Sequence, residues 1–267
     1  MLSNFHTHTV FCDGDNTPEE VVLSAIDKGL SAIGFSGHGY TDFDLRYCMT
    51  ETDKYIAEVK CLKEKYKDKI EVYLGIEEDA FHPLSNREQF DYIIGSSHYF
   101  KVGNEYHPID SSHEYFKKCL KLFNYDIPRM AESYYSAFCE YITERKPDIV
   151  GHFDLLTKYD EVGEPLFLNN GEYNKIAEKY LRQAIKSGCI FEVNTGAISR
   201  GMRTSFYPAV NLLEILKENN AKLILSSDSH NKDTLDFGFS DALEKLRQIG
   251  FKTLYTLRDG KFAEYDI

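Results

Sequence analysis

"NFHTHTVFCDGDNTPEEVVLSAIDKGLSAIGFSGH" runs from Asn4 to His38. The stretch reads as a strand at about Leu2–Phe5, a polar loop, a helix and a second strand at about Ala32–Ser36. The helix is marked at both ends. Thr17 stands at the cap, Pro18 at the first helical position and Glu20 at the capping-box position, and Gly29 closes it. A strand, helix and strand in this order imply parallel pairing through a right-handed crossover. The first strand ends in His6-x-His8, and residues two apart point to the same side of a pleat. Both imidazoles can therefore reach one metal ion, with Asp13 and Asp15 in the glycine-punctuated loop that follows.

The same alternation continues outward. Further strands are expected at about Glu71–Ile76, Tyr92–Ser96, Ile149–Gly151, Ile190–Val193 and Leu223–Ser226. The helical patterns "TETDKYIAEVKCLKEKYKDK", "GEYNKIAEKYLRQAIKSG" and "YPAVNLLEILKENN" lie between strands, the last with Val210, Leu213 and Leu216 on one stripe. Residues 99–147 break the rhythm with two helical stretches, roughly 113–123 and 129–145. Their aromatics, among them Tyr115, Phe116, Phe123, Tyr134, Tyr135, Phe138 and Tyr141, read as packing against the outside of a barrel. A partial lid over a site is the functional alternative. With no repeat, linker or low-complexity tract, the expectation is one domain over 1–267 with a helical insertion at about 99–147.

Composition narrows the function. The chain has 267 residues, 42% of them hydrophobic, a net charge of −12 and 28% charged residues. That supports a large core, and an acidic balance opposes a nucleic-acid partner, which requires a basic groove. No apolar run approaches the ~18 residues of a membrane span, and no export signal stands at the amino end. The six cysteines (Cys12, Cys48, Cys61, Cys119, Cys139, Cys189) are scattered without a C-x-x-C pair. Reduced thiols and a cytoplasmic location are expected.

The polar residue after each strand carries the chemistry. His6 and His8 follow the first strand, His38 the second ("GFSGH"), Glu77 the third ("LGIE") and His98 the fourth ("IGSSH"). His152 follows the fifth ("IVGH"), Asn194 the sixth ("FEVN"), and Asp228 and His230 the seventh ("LSSDSH"). In a parallel barrel the carboxyl ends of all strands converge on one face. Any one of these histidines alone is better explained as a hydrogen-bonded core or surface imidazole. Six of the nine in the chain at strand ends, beside Glu77, Asp228 and Asp13, are not explained that way. Histidine and carboxylate donors without thiolate suit zinc, manganese or iron alike. Nine donors exceed one tetrahedral site and suit two or three divalent ions with a bridging carboxylate, hence metal-dependent hydrolysis.

These residues resemble the polymerase and histidinol phosphatase (PHP) superfamily. "HTH" at His6–His8, "SGH" ending at His38, "GHFD" at Gly151–Asp154 and "SSDSH" at Ser226–His230 match its four motifs, and "GIE" and "SSH" match the segments between. The stretch "NTGAISRGMRTSFYP" is similar to the monofunctional histidinol-phosphatase branch. The resemblance implies an α/β fold: a distorted (β/α)7 TIM-like barrel with its metal site at the carboxyl face of the strands. It implies a first metal on His6, His8, Glu77 and Asp228, a second on Glu77, His98 and His152, and a third on Asp13, His38 and His230. Where some relatives place histidine in the first loop this chain has Gly14, so Asp13 is assigned from the "DG" form, with Asp15 its rival.

The activity so implied is hydrolysis of a small phosphomonoester, L-histidinol phosphate of histidine biosynthesis, by a metal-bridging hydroxide attacking phosphorus. Asp13, Glu77, Asp228 and His230 would be catalytic, with Asp13 or His230 supplying the leaving-group proton. Lys158, Arg200 and Arg203 are candidates for phosphate, and Asn194 for substrate contact or for orienting a ligand. Asp42 and Glu114 are candidates, by location, for a substrate amine. Two other functions remain open: a PHP phosphoesterase acting on a nucleotide, oligonucleotide or phosphotyrosine protein, and a non-catalytic metal-binding protein.

Overall fold

The first strand–helix–strand unit forms as its residues dictate. In the computed structural model, which describes residues 2–162 and 165–267, β1 (Ser3–Asn4) leads through the Asp13 loop to α1 (Pro18–Asp27) and β2 (Ala32–Phe35). The Thr17 side chain accepts the Glu20 N–H while Glu20 accepts the Thr17 N–H at 2.9 Å, completing the capping box. Gly29, at φ +73°, ends the helix in the left-handed conformation that glycine adopts without a Cβ clash.

The chain continues through α2 (Thr52–Tyr66), β3 (Glu71–Asp79) and β4 (Tyr92–Ser96). An excursion follows: the hairpin β5 (Tyr99–Val102) and β6 (Glu105–Pro108), then α3 (His113–Leu122) and α4 (Ile127–Arg145). β7 (Ile149–Val150), α5 (Gly171–Ala184), β8 (Ile190–Asn194), the short α6 (Gly196–Ser199), α7 (Val210–Glu218) and β9 (Lys222–Ser226) complete the expected strands. Beyond them lie α8 (Phe239–Ile249), β10 (Thr253–Arg258) and β11 (Lys261–Asp266). No helix among the described residues is long and apolar enough to cross a membrane.

The main sheet has the order β1-β2-β3-β4-β7-β8-β9-β10-β11, parallel throughout except for the antiparallel β10–β11 pair. It curls until its first strand meets its seventh. Past the end of β1, Thr7 bridges Ser229, with His8 N–H donating to Ser229 O at 2.8 Å and Ser229 N–H to His6 O at 3.1 Å. The Asn4 side chain locks the seam, donating to Ser227 Oγ at 2.7 Å and accepting the Ser227 N–H at 3.2 Å. The result is the distorted parallel barrel of seven strands, with β10 and β11 added beside β9.

Alternation along each strand separates a floor from a mouth. On one face of β3 stand Tyr73, Gly75, Glu77 and Asp79; on β8, Ile190, Glu192 and Asn194. The apolar members join a buried cluster with Phe5, Tyr92, Ile94, Ile149 and Ile224, and the polar ones gather at the carboxyl ends. Tyr92 fills the interior, its hydroxyl donating to Phe5 O at 2.6 Å and Phe35 O at 3.1 Å. Gly75 makes room for it, since a Cβ there would lie 2.2 Å from the Tyr92 ring.

Several local expectations differ from what forms. α2 starts after Glu51 and α7 after Ala209, neither with a side-chain cap. Burial of one face carries them instead, and in α7 that face is Leu212, Leu213, Ile215 and Leu216, with Val210 only half-buried. α4 begins two residues earlier than its pattern suggests, capped by Asp126 with Pro128 in its first turn. The β5–β6 hairpin was signalled by Gly103-Asn104 and the β10–β11 pair by Asp259-Gly260. Six of the seven named insertion aromatics are buried in the larger core and Tyr115 packs at its edge, so the two helices brace the barrel.

Gly75→Ala is expected to lower stability by about 1–3 kcal/mol through overpacking against Tyr92, seen as a lower urea midpoint with unchanged slope.

Candidate metal centre

Strand ends place all nine predicted donors at the barrel mouth around one carboxylate. Glu77 is buried. Its Oε1 lies 3.2 Å from His152 Nε2 and 3.4 Å from both His6 Nε2 and His98 Nε2, and its Oε2 lies 2.8 Å from His38 Nδ1 and 3.7 Å from His8 Nε2. Asp228 Oδ1 sits 3.3 Å from His8 Nε2, 3.6 Å from His6 Nε2 and 3.7 Å from His230 Nδ1. Asp13 reaches His8 Nδ1 and His230 Nε2 at 3.3 Å and His38 Nε2 at 3.6 Å. Asp228 holds a left-handed backbone, φ 47°, a conformation Asp tolerates better than most residues. Arg200 secures it through the Asp228 carbonyl at 2.8 Å and carboxylate at 3.0 Å.

The donors form overlapping groups of metal-binding geometry: His8–Asp13–His38–His230, His6–His8–Asp228, His6–Glu77–His152 and His38–Glu77–His98. This partition is more interlocked than the three sets implied by the resemblance, because His6, His8, His38 and Glu77 each serve two groups. Atoms aimed into the centre are buried without a hydrogen-bond partner: His6 Nε2, His8 Nε2, Asp13 Oδ1 and both Glu77 oxygens. Such orphaned groups are costly unless something binds them. Divalent cations fit this donor set.

Electrostatics agree. Burial would raise the Glu77 and Asp228 carboxyls, but the imidazoles (and Arg200 for Asp228) outweigh it and hold both well below the ordinary range. Against the downward pull of burial, Glu192, Glu77 and Asp228 raise His6 to about 10, and Glu77 and Asp79 raise His98 to about 9. Without metal His6 and His98 thus take up protons to answer the carboxylates. A metal ion replaces that charge and must displace the protons.

The other predicted residues separate into two sets. Lys158 and Arg200 line a cavity of about 220 Å³ over the centre. Arg203 does not: its buried guanidinium donates to Thr157 Oγ1 at 2.6 Å and Ser205 Oγ at 3.0 Å and packs over Tyr207. Asn194 is not among the lining residues either; fully buried, it donates to Glu192 at 2.9 Å and accepts the Gly196 N–H at 2.8 Å. Asp42 and Glu114 lie outside the cavity lining. Asp15 turns to Asn231 at 3.1 Å, leaving Asp13 in the cluster. Gly14 admits no side chain, since its Cβ would meet the His8 backbone at 2.5 Å. No thiol belongs to any of the four donor groups, although Cys12 Sγ lies 3.5 Å from His8 Nδ1.

Two carboxylates that support the donors went unnoticed in the sequence. Glu192 Oε1 is 2.6 Å from His6 Nδ1, while Oε2 accepts the His152 N–H at 2.9 Å. Asp79 Oδ2 is 3.2 Å from His98 Nδ1. Each leaves Nε2 of its histidine facing Glu77, the orientation that metal-binding imidazoles obtain from a carboxylate behind them. The signal was present: an acidic residue inside an apolar strand, two positions from Asn194 or Glu77 and so on the same face.

The PHP domain family model matches residues 4–196. This chain belongs to the PHP domain family. Among similar proteins, the probable histidinol-phosphatase of Schizosaccharomyces pombe is 27% identical over 97% of this chain and 90% of its own length. That of Deinococcus radiodurans is 26% identical over 95% of each. In fold, the chain resembles a histidinol phosphate phosphatase from Lactococcus lactis solved with zinc, L-histidinol and phosphate (TM-score 0.73, 23% identity, 98% of both chains). It also resembles a putative histidinol phosphatase from Listeria monocytogenes (TM-score 0.78, 22% identity, 90% of this chain and 99% of that one).

Glu192→Gln is expected to weaken metal binding about 10–100-fold, read by metal titration of the metal-free protein. Because His6 and His98 must lose protons to bind metal, affinity should rise as pH increases from 6 to 9, with proton release measurable in weakly buffered solution. An affinity flat across that range would show that the imidazoles are already neutral.

Proposed function

We propose that this PHP protein hydrolyses a phosphomonoester, L-histidinol phosphate, at a cluster of two or three divalent ions. The observation that carries it is Glu77: one buried carboxylate facing five imidazoles, with neither oxygen in a hydrogen bond. Four interlocking donor groups, two of them sharing Glu77, favour a cluster over a single structural ion. Zinc, manganese and iron suit the donors equally. The similarity to curated histidinol-phosphatases across nearly the whole chain supports the substrate. The continuous sheet supports one barrel domain with an insertion at 99–147. All six thiols are free, which suits a reducing compartment such as the cytoplasm.

Bound divalent ions would supply Lewis-acid charge and lower the pKa of coordinated water toward neutrality. His6, His8, Glu77 and Asp228 would hold one ion, Glu77, His98 and His152 a second, and Asp13, His38 and His230 a third, sharing donors where the groups overlap. Arg200 presents a guanidinium at the cavity wall, oriented through Asp228, where its donors can answer developing charge on the phosphoryl oxygens. Lys158, in the loop after the neighbouring strand β7, adds a second cation to the cavity lining. The proton for the leaving alkoxide is assigned to Asp13 or His230, 3.3 Å apart at the rim, whichever the third ion leaves free.

Metal-loaded protein should release phosphate from histidinol phosphate, and chelation should abolish the activity. His98→Ala is expected to lower metal content and cut kcat at least about 100-fold, and Arg200→Ala to cut kcat/KM by roughly 10²–10³. Metal content and turnover both surviving His98→Ala would defeat the assignment. A panel adding 5′-nucleotides, short oligonucleotides and a phosphotyrosine peptide separates this substrate from the alternatives.

A further inference from the structure

Among the described residues, two carboxylates outside the nine donors line the cavity, Asp79 and Asp110. Asp79 is fully engaged, accepting the His98 and Phe81 N–H groups at 3.1 and 2.9 Å and facing His98 Nδ1. Asp110 is different. Its carboxylate has one contact, Lys158 Nζ at a long 3.3 Å, while its backbone carbonyl is pinned by Lys158 Nζ at 2.9 Å and Tyr159 Oη at 2.7 Å. The main chain is fixed and the charged group is loosely held at the cavity wall. Arg200, the other cation on that wall, is already committed to Asp228.

A weak ion pair facing a cavity keeps neither charge alone when the site is free. It also makes the site selective. A phosphate drawn to Lys158 competes with Asp110 for that ammonium and leaves the carboxylate unpaired beside a dianion, which is unfavourable in a partly desolvated space. A ligand bearing its own ammonium near the ester oxygen removes the penalty, because each wall charge then finds a new partner. We propose that the Asp110–Lys158 pair selects phosphomonoesters with an ammonium on the carbon next to the ester-bearing carbon, Lys158 passing to the phosphate and Asp110 to the amine. The proposal rests on the phosphomonoesterase reading and goes beyond it by naming the residue that reads the amine.

The test uses metal-loaded protein and two small competitors, 2-aminoethyl phosphate and ethyl phosphate, against hydrolysis of p-nitrophenyl phosphate. The aminated competitor should inhibit at a concentration at least about tenfold lower. In Asp110→Asn that preference should fall to within about twofold of unity, and Asp110→Glu should restore part of it, with metal content measured for each variant. Equal inhibition of the parent protein, or a preference that survives Asp110→Asn, overturns the inference. If p-nitrophenyl phosphate and histidinol phosphate are both left intact, the phosphatase reading falls separately; calorimetric titration of the same two competitors still reads the preference, and its absence overturns the Asp110 assignment on its own.

Discussion

Two main-chain hydrogen bonds between the end of β1 and the end of β9 govern the rest of the molecule. By joining His6 and His8 to Ser229, they close the curled sheet and set H-x-H beside D-x-H although more than two hundred residues separate them. The Asn4 side chain, buried and bonded to both Ser227 and Leu235, keeps that register. A slip by one residue would turn each alternating pair away from the mouth. The donors meet because the seam meets.

Closure concentrates charge. Glu77, Asp228 and Asp13 are drawn into a region with little water, where an unanswered carboxylate is expensive. Six imidazoles answer them, and the raised His6 and His98 and depressed Glu77 and Asp228 are two sides of one balance. Such an arrangement is poorly suited to holding a fold together, since ion pairs this deep return little beyond their desolvation. It is well suited to exchanging protons for metal.

Behind the donors stands a second tier of carboxylates with separate duties. Glu192 ties His6 to the backbone of His152, and Asp79 ties the ring and backbone of His98 to β3. Both present Nε2 inward. Asp110 comes from the excursion after β4 and faces the cavity, not a ring, so the segment that braces the barrel through its aromatic helices also supplies a wall of the site.

The seven barrel strands and the donors at their ends were legible from the chain itself, because period-two alternation and helix punctuation are local and nearly every ligand follows its strand directly, whereas the strands β5, β6, β10 and β11 were not read. Asp13 was legible only as one of two candidates; the turn that sends Asp15 to Asn231 is set by contacts with the far end of the chain. Arg200 and Arg203 stand three residues apart in one loop, and the sequence already favoured Arg200 for phosphate. Packing separates them, burying Arg203 against Thr157 and Tyr207 and leaving Arg200 on the cavity. Glu192, Asp79 and Asp110 acquire their roles from partners distant along the chain, such as His6 and Lys158. Local sequence thus determined which side chains could bind metal, and only closure of the sheet decided which groups stand behind them and which face the substrate, because those relations are distances across the barrel and not intervals along the chain.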